Sequence, residues 1–254
     1  MEKLFTEIEN LIKELSEYRP LTEGERHRLN EQFMIESTYH SNAIGGNTMT
    51  LDETYIVIKE NVVLSHKTLK EHLEVIGHKE AFEYVSDMVS KKEPITEQAI
   101  KDIHSIVLMD SPRNRGKYRK VGVKVGDFTP MDAGFVPEHM TKLLEDYNSK
   151  STAHPIEKIA DFHIKFERIL PFIKGNGQTG RLLINLELMK AGYMPISIKV
   201  DDRYEYYACF KDFEENGTSE KFTKMVAGYE IEQLKERLRI LKTALKCEQT
   251  WGWN

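Results

Sequence analysis

The 254-residue chain reads as mostly α-helical with one small β-hairpin set into it. Three observations predict this. Apolar residues recur at three- and four-residue spacing through most of the length, the period of one helix face. Thr-x-x-Glu pairs stand where two of those patterns begin, which is the spacing of a helix capping box. A single stretch alternates apolar and polar residues with a period of two, as a strand does. No repeat, low-complexity linker or composition break interrupts the pattern. The expectation is therefore one continuous domain over 1–254, with N-terminal helices at 1–65, a core at 66–215 and a C-terminal helix at 216–254.

The elements follow in order. Leu4, Ile8, Leu11, Ile12 and Leu15 form a helical stripe that Pro20 ends. Thr22 with Glu25 opens a second helix toward His40, and a turn follows at Gly45-Gly46-Asn47. Thr50 with Glu53 opens a third helix, predicted through Val62. Further helical patterns cover 67–91, 96–109, 137–148, 155–169, 178–191, 202–215 and 219–247. Pro155 suits a first helical position and Gly192 a C-terminal cap. The alternating stretch is Val121, Val123 and Val125, followed by a Gly126-Asp127 turn and a return strand from Phe128 to Val136. A lone hairpin is marginal in water, so it must lean on the helices.

Composition sets outer bounds. The chain is 40% hydrophobic and 30% charged, ordinary for a globular protein long enough to bury a substantial core. A net charge of −5 argues against a nucleic-acid partner. Cys209 and Cys247 show no zinc-like spacing and suit a reducing compartment. The N-terminus lacks a signal-peptide core and no apolar run reaches membrane length, so the expected setting is cytoplasmic, without a membrane partner.

Chemistry concentrates in Leu170-Pro171-Phe172-Ile173-Lys174-Gly175-Asn176-Gly177-Gln178-Thr179-Gly180-Arg181. A helix ends at Pro171, and a Gly-Asn-Gly turn opens the next one. Such a turn gathers unpaired backbone N–H groups at a helix N-terminus, an anion site by geometry and dipole. Taken alone it is equally a plain helix–turn–helix with Gly where φ must be positive.

The residues around the turn add a resemblance. The stretch is similar to the Fic family signature H-P-F-x-[D/E]-G-N-G-R-x-x-R, with Pro171, Phe172, Gly175, Asn176, Gly177 and Arg181 in register and His163 to Ile169 matching the lead-in. Leu170 stands where the family has His, Lys174 where it has Asp or Glu, and Gln178 where it has the first Arg. Gly116-Lys117-Tyr118-Arg119 resembles the stretch that precedes the family's β-hairpin flap, which implies a Fic-type helical core whose flap (Val121, Val123, Val125) holds a target peptide by strand addition. Upstream, Ser41-Asn42-Ala43-Ile44-Gly45-Gly46-Asn47 resembles the family's inhibitory motif [S/T]-x-x-x-E-[G/N]. Ser41, Gly46 and Asn47 match, but Gly45 replaces the Glu that pairs with the last signature Arg. Without the downstream signature the same residues read as a helix C-cap with paired glycines. The resemblance covers the chain from about Glu36 to Phe213 and places it in the self-inhibited class.

What the resemblance implies is protein adenylylation: AMP passes from ATP to a Ser, Thr or Tyr hydroxyl of a target protein or of the chain itself. In the family the motif His is the base, the Asp or Glu holds Mg²⁺, and the Gly-Asn-Gly backbone with the two Arg grips the phosphates. Relatives of this class often dimerise, which makes a homodimer a further expectation. The substitutions act against the chemistry. Leu170 has no proton-accepting atom, and loss of a positioned base typically costs ~10²–10⁴ in rate. His163, seven residues earlier, lies about 10 Å away along a helix and reads as a hydrogen-bonded, partly buried residue. Lys174 offers Mg²⁺ no oxygen and would repel it by several kcal/mol at about 5 Å. The readings open for Lys174 are a solvated loop lysine or a phosphate-neutralising one. Gln178 loses the charged fork that grips phosphate. Arg181 remains as the phosphate clamp, freed of its expected Glu. Tyr206 and Tyr207 would border the adenine pocket by the same resemblance.

The expectation is thus an adenylyltransferase scaffold with a disabled or weakened centre. A nucleotide- or protein-binding pseudoenzyme, and a transferase of different mechanism using Lys174 and Arg181, stand beside it. No G-x-x-x-x-G-K-[S/T], H-E-x-x-H or G-x-S-x-G motif points elsewhere. The nine His are dispersed, and the pairs Asp201-Asp202 and Glu214-Glu215 sit at helix ends.

Overall fold

The computed structural model describes residues 1–124, 128 and 130–251, with side chains described through residue 244. Its helices are α1 (Glu2–Ser16), α2 (Glu23–Ile44), α3 (Leu51–Glu60), α4 (Leu69–Ser90), α5 (Glu97–Val107), α6 (Val136–Asn148), α7 (Pro155–Ile169), α8 (Asn176–Lys190), α9 (Arg203–Asn216) and α10 (Glu220–Trp251). The Thr22–Glu25 and Thr50–Glu53 capping boxes both form, as does a third at Thr68–Glu71 that opens α4. Each such cap contributes about 1 kcal/mol by satisfying N–H groups that the first turn leaves unpaired. The helix boundaries lie within a few residues of those predicted. The largest extension is α2, which runs on past His40 to Ile44.

Helices α7 and α8 form a spine between two cores. On one side Phe162, Phe166 and Ile169 of α7 join Leu182, Leu183 and Leu186 of α8 in a cluster with α4, α5 and α6. On the other, Ile156, Ile159 and Ile164 join Ile184 and Leu188 in a cluster with α1, α9 and α10. Helix α8 is therefore buried nearly all round, from Thr179 to Leu188. Full burial of side chains such as Phe166 and Leu183, both 0% exposed, contributes roughly 2–3 kcal/mol each. Helix α10, which carries no signature in sequence, closes the second core and pairs with α1 through Lys235–Glu7 and Lys242–Glu14. This burial fixes the loop between α7 and α8 as a rigid corner.

The predicted hairpin does not form among the described residues. Val121 and Val123 lie in irregular backbone, and Val125 falls outside the described residues. Of the predicted return strand, Phe128 makes an isolated β-bridge, and the far end is a 3-10 turn at Ala133–Phe135, capped by Asp132, with Val136 already the first residue of α6. The predicted turn at Gly126-Asp127 lies outside the described residues. The physical reason lies in Arg119. Its guanidinium donates to Val121 O at 3.2 Å and Met131 O at 2.7 Å, so one buried side chain joins the two arms. Among the described residues no helix is long and apolar enough to cross a membrane.

Candidate active site

The loop between α7 and α8 is held from several directions. Leu170 ends α7 in the left-handed region, φ +45° and ψ 65°. A branched side chain costs roughly 1–2 kcal/mol there, so the surroundings must over-determine it. Arg119, 2% exposed, does so. Its Nε donates to Leu170 O at 2.7 Å, its Nη2 to Ile169 O at 3.3 Å, and its backbone N–H to Pro171 O at 2.9 Å. The Leu170 side chain is itself buried, 5% exposed.

Beyond Pro171 the chain turns tightly. Asn176 spans the turn, accepting from Phe172 N at 2.9 Å and donating to Phe172 O at 2.9 Å. His104 of α5 stacks flat on Phe172 at 3.6 Å between centroids. Gly116 N–H donates to His104 Nδ1 at 2.9 Å, which leaves the proton on Nε2 to donate to Lys174 O at 3.0 Å. Burial pushes the pKa of this ring down to about 4, so it serves as a neutral brace. Gly175, φ +79°, is the N-cap of α8. No side chain caps the α8 N-terminus, so its first-turn N–H groups face outward as an anion cradle.

The charged positions around that cradle are already partnered. Lys174 Nζ donates to Asp110 Oδ2 at 2.6 Å, the lysine half-exposed and the aspartate largely buried. Arg181 is 8% exposed and is held by the end of α2. Its Nε donates to Ser41 Oγ at 3.0 Å and its Nη2 to Ser41 O at 2.8 Å. Gln178 Nε2 donates to Asn42 Oδ1 at 2.8 Å, and Asn42 in turn donates to Glu74 O of α4. A cavity of about 10 Å³ lined by Ser37, Ser41, His78, Arg181 and Asn185 adjoins the guanidinium. That is room for a single water and none for a phosphate.

Residues 45–47 follow as a C-terminal cap. Gly45 is right-handed, Gly46 takes φ +96°, and Asn47 donates to Glu71 O and to Glu74 Oε2. The segment is thus a helix cap, and Ser41, one turn before it, lies on Arg181.

Behind the cradle the corner is unusually polar. His163, 1% exposed, lies 2.8 Å from the Tyr206 hydroxyl through Nε2, which places it as the predicted hydrogen-bonded histidine, buried still more fully. Burial pushes its pKa down to about 3, with Arg181 adding to the effect. The Glu167 carboxyl is lifted by burial to about 7, Arg181 opposing. Gly180 makes this corner possible. A Cβ there would lie 2.7 Å from Glu167 Oε1 and 2.9 Å from His163 Cε1. Tyr206 is buried in this cluster, its ring centroid 5.8 Å from the Arg181 guanidinium carbon, whereas Tyr207 is 45% exposed on α9.

The structure thus brings Leu170, Lys174, Gly175, Asn176, Gly177, Gln178, Arg181, Ser41 and Tyr206 to one corner. Sequence reasoning missed Asp110, His104 and the structural part of Arg119. Arg119 had a signal, since it ends the Gly116–Arg119 stretch. Asp110 and His104 had none.

Comparison with known proteins gives the family of the chain. The sequence profile of the Fic/DOC family matches residues 94–188. The crystallised region of Fic-1 from C. elegans superposes with a TM-score of 0.82 at 30% identity, covering 93% of this chain and 71% of that one. A Fic domain containing signaling protein from Bacteroides thetaiotaomicron gives 0.83 at 25% identity, covering 95% and 96%. The chain belongs to the Fic family. By sequence it is 40% identical over 181 residues to the protein adenylyltransferase Fic of Nematostella vectensis, which covers 68% of this chain and 42% of that protein. It thus spans about two fifths of the length of that relative.

Proposed function

We propose that this chain is a protein adenylyltransferase scaffold, built to pass AMP from ATP to a protein hydroxyl, whose catalytic centre is disabled or strongly weakened. The observation that carries the reading is Leu170. It occupies the base position, its side chain is buried, and it holds no atom that accepts a proton. Among the described residues, neither histidine of that corner is free to replace it. His104 has both ring nitrogens engaged in bracing the loop, and His163 is a neutral, buried partner of Tyr206.

The metal position supports the same reading. Mg²⁺ takes hard oxygen ligands, whereas Lys174 presents an ammonium whose charge Asp110 already balances at 2.6 Å. The residues present at that position do not fit Mg²⁺. Nucleotide binding would rest on the α8 N-terminus, with Lys174 and Arg181 as the cationic groups beside it. Ser41 takes two of the guanidinium nitrogens, Nε and Nη2, and leaves Nη1, which lies toward Gly177, as the group to meet a phosphate. The contact of α2 with Arg181 through a serine hydroxyl and a backbone oxygen supports reading α2 as a degenerate form of the inhibitory helix, without its carboxylate. This same observation favours a second reading, a pseudoenzyme that holds nucleotide or a target segment without turnover. In that reading Val121 and Val123, beside the loop and tethered through Val121 by Arg119, belong to the surface for a target peptide.

Intact-mass spectrometry after incubation with ATP and Mg²⁺ tests the proposal, with the triple variant Leu170→His, Lys174→Asp, Gln178→Arg run alongside. The expected result is an AMP adduct on the variant alone. An adduct on the unaltered chain would overturn the reading of Leu170. No adduct on either, with ATP still bound, would favour the pseudoenzyme.

A further inference from the structure

Away from the signature corner, α2, the Met194-Pro195 segment and α10 enclose a cleft of about 120 Å³. Leu29, Phe33, Met194, Pro195 and Ile240 supply apolar wall, and Arg237 of α10 supplies the cation. The guanidinium is partly buried and forms no hydrogen bond or ion pair among the described residues. The carboxylates that share the cleft are committed elsewhere. Glu36 Oε1 accepts from Gln32 Nε2 at 2.9 Å, and Glu236 accepts from both Arg239 Nε and Nη2 at 2.8 and 2.6 Å.

The guanidinium keeps contact with water, since none of its nitrogens is fully buried, while the apolar wall beside it strengthens its attraction for an anion. Partial burial depresses the Arg237 pKa, and no neighbouring carboxylate counters it. Such a group is open to an anion that enters from outside. We propose that this cleft is a binding site for a small monocarboxylate with an apolar body, its carboxylate on Arg237 and its apolar part against Phe33, Met194 and Ile240. The chemistry selects this class. A guanidinium fork matches a carboxylate in two parallel hydrogen bonds. One cation, with Glu36 and Glu236 on the walls, does not suit a phosphate dianion. The limited volume excludes a nucleotide. The site stands independently of the adenylyltransferase reading.

The test is titration of hexanoate into the isotopically labelled full chain, followed by amide shifts, with hexanamide and inorganic phosphate as controls. Expected are saturable shifts on α2 and α10 around 29–36 and 233–240, far weaker ones with hexanamide, and none with phosphate. Arg237→Gln should weaken hexanoate binding about tenfold or more, while Arg237→Lys, which keeps the charge but loses the fork, should weaken it less. Absence of saturable shifts, equal response to hexanamide, or hexanoate binding unchanged in a folded Arg237→Gln protein would each overturn the proposal.

Discussion

Leu170 carries two opposing terms. Its left-handed backbone costs roughly 1–2 kcal/mol relative to glycine, while its buried side chain contributes roughly 2–3 kcal/mol. Leu170→Gly relieves the first as it loses the second, so the expected net loss is small, about 1 kcal/mol. Leu183→Gly, fully buried in regular α8, has no strain to relieve and adds a helix-propensity cost, giving an expected loss of about 4 kcal/mol. Urea melts of the two variants check the contrast. A large loss for Leu170→Gly would mean that the loop does not hold the strained conformation. Residue identity at 170, 174 and 178 was legible directly, and with it the departure from the family signature. The partners of those residues were not: Lys174 finds Asp110 across 64 positions, a contact no local pattern announces.

At the scale of elements, two couplings organise the site. Arg119 ties the loop after α7 to residues 121 and 131 through one guanidinium and several carbonyl acceptors. Arg119→Met keeps the apolar stem and orphans those carbonyls, so a loss of about 3 kcal/mol is expected, with raised hydrogen exchange in 119–124 and 169–172. Exchange unchanged in both segments would show that the guanidinium does not join them. The second coupling is α2 against α8. Gly45 lies in right-handed backbone, and a Cβ there would meet Asn42 O at 3.2 Å, tight but tolerable. Gly45→Glu adds a carboxylate near Arg181 and should weaken ATP binding by about fivefold or more, measured by calorimetry. Unchanged affinity would remove the inhibitory reading of α2. The helices, their caps and the positive-φ turns were all legible, because capping and periodicity are short-range effects. The hairpin was misjudged because the alternation of valines is real while the contacts that would make a ladder of it are tertiary.

Over the whole molecule, buried titratable groups set the response to acid. His78, His104 and His163 are held neutral, with pKa values pushed down to about 3, 4 and 3 from 6.5, chiefly by burial. Their contribution is complete above 6.5 and is lost as pH falls, because the unfolded chain takes up protons that the folded chain does not. Glu167 and Glu230 are lifted from 4.5 to about 7 by burial, so the folded chain binds their protons first and stability is gained as pH falls from 7 toward 4.5. Between 6.5 and 4.5 three histidines oppose two carboxyls. His40 and His154, also pushed down by burial, act with the three, so the expected net loss there is at least one proton's worth, about 1.4 kcal/mol per pH unit or more. Below 4.5 the carboxyl terms vanish and the acid limb should steepen. Urea midpoints across this range check the break, and an acid limb with no steepening below 4.5 would contradict it.

The sequence by itself determined the helical class, the positions of the helix ends, the family signature and the residues that depart from it. These depend on spacing, capping and side-chain chemistry, which act within a few residues. Tertiary structure decided what the retained residues do. It placed Ser41 on Arg181 across 140 positions, made Arg119 the internal tether, buried Tyr206 against His163, and left Arg237 without a partner in its cleft. Those outcomes depend on which faces meet when two cores close around α7 and α8, and a single sequence records the faces without recording the meeting.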